Sequence, residues 1–293
     1  MLTRFPDARA PAVALMADEH QAASDETHST AADLRSAMAY ENGLVPALMQ
    51  EWPARLIAAA SIQPGGRALD VACGTGVLAR AVADAVGPSG TVVGLDLDRG
   101  MLRVALARRP GVRWVQGSAT HLPLATASFD AVVSQFGLMF FADKPRALRE
   151  MWRVLRPGGR VVVSVWASLE ATPAYATETE LVERLAGSAA SAPLRLPFGL
   201  GDPAVVSRLF EAAAVPLASV TCVVGRACFP SIRAMVEADL VGWLPLMGVQ
   251  LAPHTIAAIL DEAEVALAPY RQSDGSVAFD SPANVAVSLP APA

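Results

Sequence analysis

Between Arg67 and Trp166, short and almost continuously apolar runs alternate with stretches of helical periodicity. Arg67–Ala72, Thr91–Leu95, Val112–Gln116, Phe129–Ser134 and Arg160–Trp166 read as strands. Val77–Ala85, Arg99–Arg108 and Pro145–Leu155 read as the helices between them, the last with Leu148, Met151, Trp152 and Leu155 on one face. Gly87-Pro88-Ser89-Gly90 and Arg156-Pro157-Gly158-Gly159 punctuate the pattern as turns. Strands without polar alternation are buried on both faces. That requires a parallel sheet with helices on either side of it.

Outside this region the pattern changes. Residues 1–32 are rich in Ala, Ser, Thr, Asp and Pro without periodicity, and are expected to form a disordered tail. Met16 offers an alternative start. From Ala32 to Ala60 apolar residues recur at helical spacing, broken by Pro46 and Pro53, which predicts two or three short helices. Beyond Trp166, helices are expected at Thr177–Leu185, Asp202–Ala213, Ser231–Trp243 and His254–Leu267. Asp202-Pro203 is an N-cap followed by proline at the first helical position. Leu217–Val224 and Val285–Leu289 read as late strands. One domain over 33–293 is expected, with a core at 67–166 and substrate-side inserts at 167–200 and 230–272.

Composition narrows the partner. The 293 residues carry a net charge of −5 and 53% hydrophobic residues, with Lys144 the only lysine. A nucleic-acid footprint is basic, so that partner class is disfavoured. Cys73, Cys222 and Cys228 are too few and too scattered for a disulfide framework, which points to a reducing, cytoplasmic setting. No His/Cys spacing suits zinc, and no apolar run reaches the ~18–20 residues of a membrane helix.

The first strand ends in Asp70-Val71-Ala72-Cys73-Gly74-Thr75-Gly76-Val77-Leu78-Ala79, a Gly-x-Gly-x-x-Ala turn that opens a helix. The first glycine makes the tight turn, the second is expected to let a ligand approach the backbone, and the helix start offers unpaired N–H groups. Asp96 ends the second strand about 20 residues on, where a carboxylate accepts hydrogen bonds from ribose hydroxyls. Both features suit NAD and S-adenosylmethionine alike. Asp70 separates the two. A carboxylate beside the turn repels a pyrophosphate but attracts a sulfonium and an ammonium, by a few kcal/mol at ~4 Å and intermediate dielectric. The plainer alternative is that Asp70 only ends the strand and caps the turn.

With these residues in place the chain resembles the class I S-adenosylmethionine-dependent methyltransferases. The first motif matches Asp70–Gly76 and the second Gly94-Leu95-Asp96. A third lies at Gln116–Leu124, where Ser118-Ala119 stands in place of the usual Asp-Ala. Ser128-Phe129-Asp130 and Arg156-Pro157-Gly158-Gly159 make it most similar to the ubiquinone/menaquinone biosynthesis methyltransferases. The resemblance implies a Rossmann-like, seven-stranded mixed sheet with the last strand antiparallel, and N-terminal helices and a helical insert as lid. It implies S-adenosylmethionine as cofactor, held by Asp70, Ala72, Gly74, Gly76 and Asp96. Leu97 and Met101 would flank the adenine, Ser118 and Ala119 would face its amino group, Gln135 would lie near the methionine end, and Tyr40 would close over the cofactor.

Methyl transfer needs alignment of donor and nucleophile and exclusion of water, and a base only where the acceptor must lose a proton. Ser134–Phe141 lacks the Asn/Asp-Pro-Pro-Tyr stretch of DNA amino-methylating enzymes. His121 and His254 are candidate bases, but His121 reads more readily as a surface-loop residue and His254 as a residue at a helix start. Phe136, Met139 and Trp243 are candidate substrate contacts. The expected acceptor is a small, largely apolar or aromatic molecule such as a quinone precursor, a polyketide or another phenolic. A homodimer is compatible with the apolar insert. The rival readings are an NAD-dependent oxidoreductase and a non-catalytic binding module on the same fold.

Overall fold

The computed structural model describes residues 26–289. Seven strands form one sheet in the order β3-β2-β1-β4-β5-β7-β6. The first five are β1 (Arg67–Val71), β2 (Thr91–Asp96), β3 (Arg113–Gln116), β4 (Phe129–Gln135) and β5 (Leu155–Trp166). They pair in parallel. β7 (Val277–Ser288) is antiparallel both to β5 and to β6 (Ser219–Phe229). The fold is the mixed α/β sheet expected from the resemblance.

The strand order reverses between β1 and β4. In such sheets ligands bind beyond the carboxyl ends of the strands at that point. The centre of the sheet is dry, with Leu69, Val132, Val133 and Val161 all fully buried. Helices α1 (Glu26–Leu44), α2 (Trp52–Ala59), α3 (Val77–Val86), α4 (Arg99–Arg108) and α5 (Lys144–Val154) precede β5. Then come α6 (Pro173–Ala186), α7 (Ser188–Arg195) and α8 (Pro203–Ala212). α9 (Ile232–Glu237), α10 (Leu244–Leu246) and α11 (Pro253–Ala266) lie between β6 and β7. The Asp202 side chain caps α8 by accepting the Ala204 N–H, as the Asp-Pro signal requires.

Three expectations are corrected. The helix α1 begins at Glu26, inside the segment expected to be a tail; residues 1–25 lie outside the described part. Its opening turns carry no apolar repeat, so no periodicity marks them; packing of the helix on α4 and on the turn at Ala238–Trp243 stabilises it instead. Over Ala32–Ala60 the expected two or three helical pieces are present as α1, a π turn and α2, but α1 is long, 19 residues, rather than short. It passes into a π-helical turn at Val45–Met49 that contains Pro46. The last strand starts at Val277, well before Val285. Asp280, Pro282 and Asn284 hide it. Pro282 is tolerated because its carbonyl accepts the Ala167 N–H just past the last β5–β7 pair, Trp166–Ala283. Its missing N–H faces that same side, so no ladder bond to β6 is lost.

Candidate active site

The crevice is built at the tips of β1, β2 and β4. Asp70 is 1% exposed, and neither carboxylate oxygen has a hydrogen-bond partner in the protein. Burial pushes its carboxyl well above the ordinary range, and the nearby Asp96 adds to this. The Ala79 amide, one of the unpaired N–H groups in the first turn of α3, favours the charged form without closing a bond of ordinary geometry. An unpaired buried carboxyl is costly unless a cation or a donor arrives to meet it.

Asp96 is tied in place. One oxygen accepts the Gly74 N–H at 2.7 Å, and the other accepts the Asp98 N–H at 2.9 Å. Burial outweighs these two bonds and lifts its pKa from 3.8 to about 6. Each oxygen keeps a second lone pair for a ligand hydroxyl.

The two glycines divide the work differently from the expectation. A Cβ at Gly74 would meet nothing within 4 Å, so this is the residue whose backbone faces open space. A Cβ at Gly76 would stand 2.5 Å from Cη2 of Trp114. Gly76 therefore makes room for the Trp114 ring, and its φ of 86° starts α3 from the left-handed region. Ala72 and Phe136, at the tips of neighbouring strands β1 and β4, also have positive φ, 57° and 55°. Such strain in non-glycine residues concentrates at functional sites.

The remaining expected cofactor residues lie at or just beyond the carboxyl ends of β2, β3 and β4. Leu97 is 49% exposed, an apolar side chain left uncovered beside Asp96. The Met101 amide donates to the Asp98 side chain that caps α4, and Met101 is half-buried. The Ser118 hydroxyl lies 2.8 Å from that of Thr120 and accepts the Thr120 N–H, while Ala119 is buried. Gln135 donates from Nε2 to the Met49 carbonyl, 3.0 Å away, and its Oε1 is buried without a donor.

Tyr40 joins the crevice to a second space. Burial raises its hydroxyl, and the charges of Asp96, Glu41 and Asp70 add to this. Arg80 fixes that end of α1, donating to the Thr75 carbonyl at 2.6 Å and pairing with Glu41 at 3.1 Å. Tyr40 also lines an apolar cavity holding about 610 Å³ of space not filled by atoms, its solvent-open part included. Phe136, Met139, Phe140 and Trp166 form one wall, and Trp243 and Phe198 stand on others. Phe136 stacks on Trp166 with 3.7 Å between ring centroids. Trp243 sits 5.2 Å from Phe140 and donates from Nε1 to the Pro193 carbonyl.

Two π-helical turns face this cavity. Val45–Met49 supplies Leu48 and Met49, and Ala238–Trp243 supplies Asp239 and Trp243. Single π turns recur at functional sites because they re-aim side chains within a helix. The sequence pattern misses them, since Ser231–Trp243 reads as one regular helix. His121 and His254 are exposed and line no part of the cavity. Among the described residues no group of three or more His, Cys, Asp or Glu could hold a metal ion. No helix among them is long and apolar enough to cross a membrane.

A doubly wound sheet, an acid at the tip of β1, an acid at the tip of β2 and an open glycine turn between them define a class I, Rossmann-like nucleotide-binding crevice. Residues 69–163 match the family model described as a methyltransferase domain. The chain is 41% identical over 135 residues to the demethylmenaquinone methyltransferase of Renibacterium salmoninarum, a match covering 46% of this chain and 56% of that protein. It is 43% identical over 131 residues to the ubiquinone/menaquinone biosynthesis C-methyltransferase UbiE of Burkholderia mallei, covering 42% and 54%. The matches thus span about half the length of these curated relatives. The YcgJ protein of Bacillus subtilis shares the fold, with a TM-score of 0.56 at 19% identity over 83% of this chain and 99% of that one. The segment from β1 to β5 is a class I S-adenosylmethionine-dependent methyltransferase domain, similar to that of UbiE.

Proposed function

We propose that this protein transfers a methyl group from S-adenosylmethionine to a small, largely apolar or aromatic acceptor, such as a quinone precursor, a polyketide or another phenolic. The observation that carries the reading is Asp70, a buried carboxyl with no partner, beside the open backbone of Gly74 and next to an aromatic cavity. A ligand with a cationic end supplies what Asp70 lacks, whereas a dinucleotide would bring a pyrophosphate against it. When bound, S-adenosylmethionine supplies an electrophilic methyl group on a sulfonium.

The chain's own part is to bind, orient and keep water out. Asp70, Ala72 and the unsatisfied Gln135 Oε1 would hold the methionine end, Gly74 and Gly76 shape the turn, and Asp96 would accept the ribose hydroxyls. Leu97 and Met101 would cover the adenine, with Ser118 and Ala119 at its amino edge. Tyr40 would close the crevice toward the cavity, where Phe136, Met139 and Trp243 would contact the acceptor. The likeness to enzymes named for demethylmenaquinone and ubiquinone/menaquinone methylation supports a quinone-type acceptor. The net charge of −5 supports a small molecule over nucleic acid.

Calorimetry with S-adenosylmethionine and with NADH, followed by an S-adenosylhomocysteine release assay across hydroxynaphthalenes and other phenols, tests this. Micromolar binding of the sulfonium ligand, none of NADH, and turnover of at least one phenol are expected. Binding of NADH alone overturns the reading, and ligand binding without turnover of any acceptor leaves a binding module.

A further inference from the structure

Part of the cavity lining is not apolar. Tyr175 and Asp239 both line the cavity, and Glu178 lies beside them on α6, three residues after Tyr175 and so on the same helix face. Glu178 is 0% exposed and both its carboxylate oxygens lack a partner; Asp239 is 5% exposed and its Oδ2 lacks one. The Tyr175 hydroxyl, on a side chain 7% exposed, has no partner either. The cavity lining contains no Lys, Arg or His. The two carboxyls thus have only each other, and the Tyr175 hydroxyl beside them has no partner. Buried polar groups in folded proteins are paired as a rule, and exceptions mark functional sites.

The fold goes out of its way to place them. Asp239 stands in the π-helical turn Ala238–Trp243, on the insert between β6 and β7. Ala238, its neighbour, packs directly on α1: a Cβ at Gly43 would stand 3.1 Å from the Ala238 Cβ. Tyr175 is wedged between Phe198 and Phe279, at ring-centroid distances of 5.8 and 5.6 Å. Burial and mutual repulsion hold the Glu178 carboxyl well above its ordinary value, and burial raises that of Asp239. The Asp239 Oδ2 is left free to accept a hydrogen bond.

We infer that Glu178, Asp239 and Tyr175 form the acceptor-recognition site, and that it selects an aromatic molecule carrying a hydroxyl. Asp239 accepts the hydroxyl's hydrogen bond, the Tyr175 O–H donates to the same oxygen, and Glu178 holds the Asp239 carboxylate in place. A site built to pair with a hydroxyl discriminates strongly against an analogue without one, since its own polar groups are then left buried and unmet. The inference deepens the methyl-transfer reading and rests on it for the identity of the ligand as acceptor.

The test is equilibrium dialysis of the full chain with 1-naphthol, 1-methoxynaphthalene and protonated 1-naphthylmethylamine. The near-isosteric variants Asp239→Asn and Glu178→Gln are run in parallel, with Tyr175→Phe as the variant least able to disturb the fold. The wild type is expected to bind the naphthol roughly tenfold or more tightly than its methyl ether. Asp239→Asn is expected to close that gap, and Tyr175→Phe to narrow it. Equal affinity for naphthol and ether in the wild type, or a gap that survives in both Asp239→Asn and Tyr175→Phe, overturns the assignment. Tighter, Asp239-dependent binding of the amine overturns it too, in favour of a cationic ligand. Calorimetry with S-adenosylmethionine on the same samples separates the two proposals. Loss of sulfonium binding in the wild type sinks the methyl-transfer reading, and the naphthol comparison is read independently of it.

Discussion

Gly74 and Gly76 are one residue apart and answer to different demands. Gly76→Ala pushes a methyl group into Trp114 and forces a non-glycine residue to hold a φ of 86°. It is expected to lower stability by about 2–3 kcal/mol, read by denaturant unfolding. Gly74→Ala meets no protein atom but must hold a φ of 54°, and is expected to cost about 1–2 kcal/mol of stability. It places its methyl group where the ligand would lie, so calorimetry should show a larger loss of S-adenosylmethionine affinity than of stability. Asp96→Ala removes the acceptor of both the Gly74 and Asp98 amides, and affinity should fall by at least about tenfold. Asp70, Asp96 and the glycines were legible in the sequence because one strand–turn–helix unit and the next strand tip carry them all. Glu178 and Asp239 were not: they are 61 positions apart, in a region without a motif, and only the folding of α6 against the insert brings them together.

At the scale of elements, the loop between β3 and β4 depends on α5. Glu150 accepts the Leu122 N–H, and Arg153 donates to the Leu122 and Leu124 carbonyls while pairing with Glu150. Arg153→Ala should free this loop, which carries Ser118 and Ala119. Faster amide exchange at Leu122 and weaker cofactor binding are expected, with little change at β1. Protection unchanged at Leu122 would show that the loop holds itself. The strands from β1 to β4 and the Arg160–Trp166 part of β5 were legible as short, largely apolar runs, whereas the start of β5, Leu155 to Gly159, reads as a helix end and a turn and is strand in the fold. The long β7 was not legible, since burial in the middle of a sheet overrode the polar residues and the proline within it. The same holds for α1 and the π turns, whose form is set by what they pack against rather than by local periodicity.

Over the whole molecule, the raised carboxyls fix how stability follows pH. Burial raises Asp96 from 3.8 to about 6 and moves Asp70, Asp239 and Glu178 upward as well. The folded chain then keeps protons that the unfolded chain releases above about pH 4, so stability falls as pH rises through that range. Glu150 works in the opposite sense: its bond to the Arg153 side chain lowers it, and its contribution is lost only as pH falls below the ordinary carboxylate range. Between about pH 5 and pH 8 the ligand-free protein should therefore lose thermal stability, and Asp239→Asn should flatten the curve. A melting temperature that rises over this interval would contradict the burial of these groups.

The place of Pro282 has a consequence for evolvability. From Val277 to Pro282, β7 has left β5 behind and runs with β6 alone, and this ribbon carries Phe279 and Ser281 to the cavity's polar part. Two-stranded ribbons coil more readily than full sheets. The molecule can thus be retuned for wider or narrower guests by bending this forked arm, while the stiff central strands, and the crevice at their tips, stay as they are.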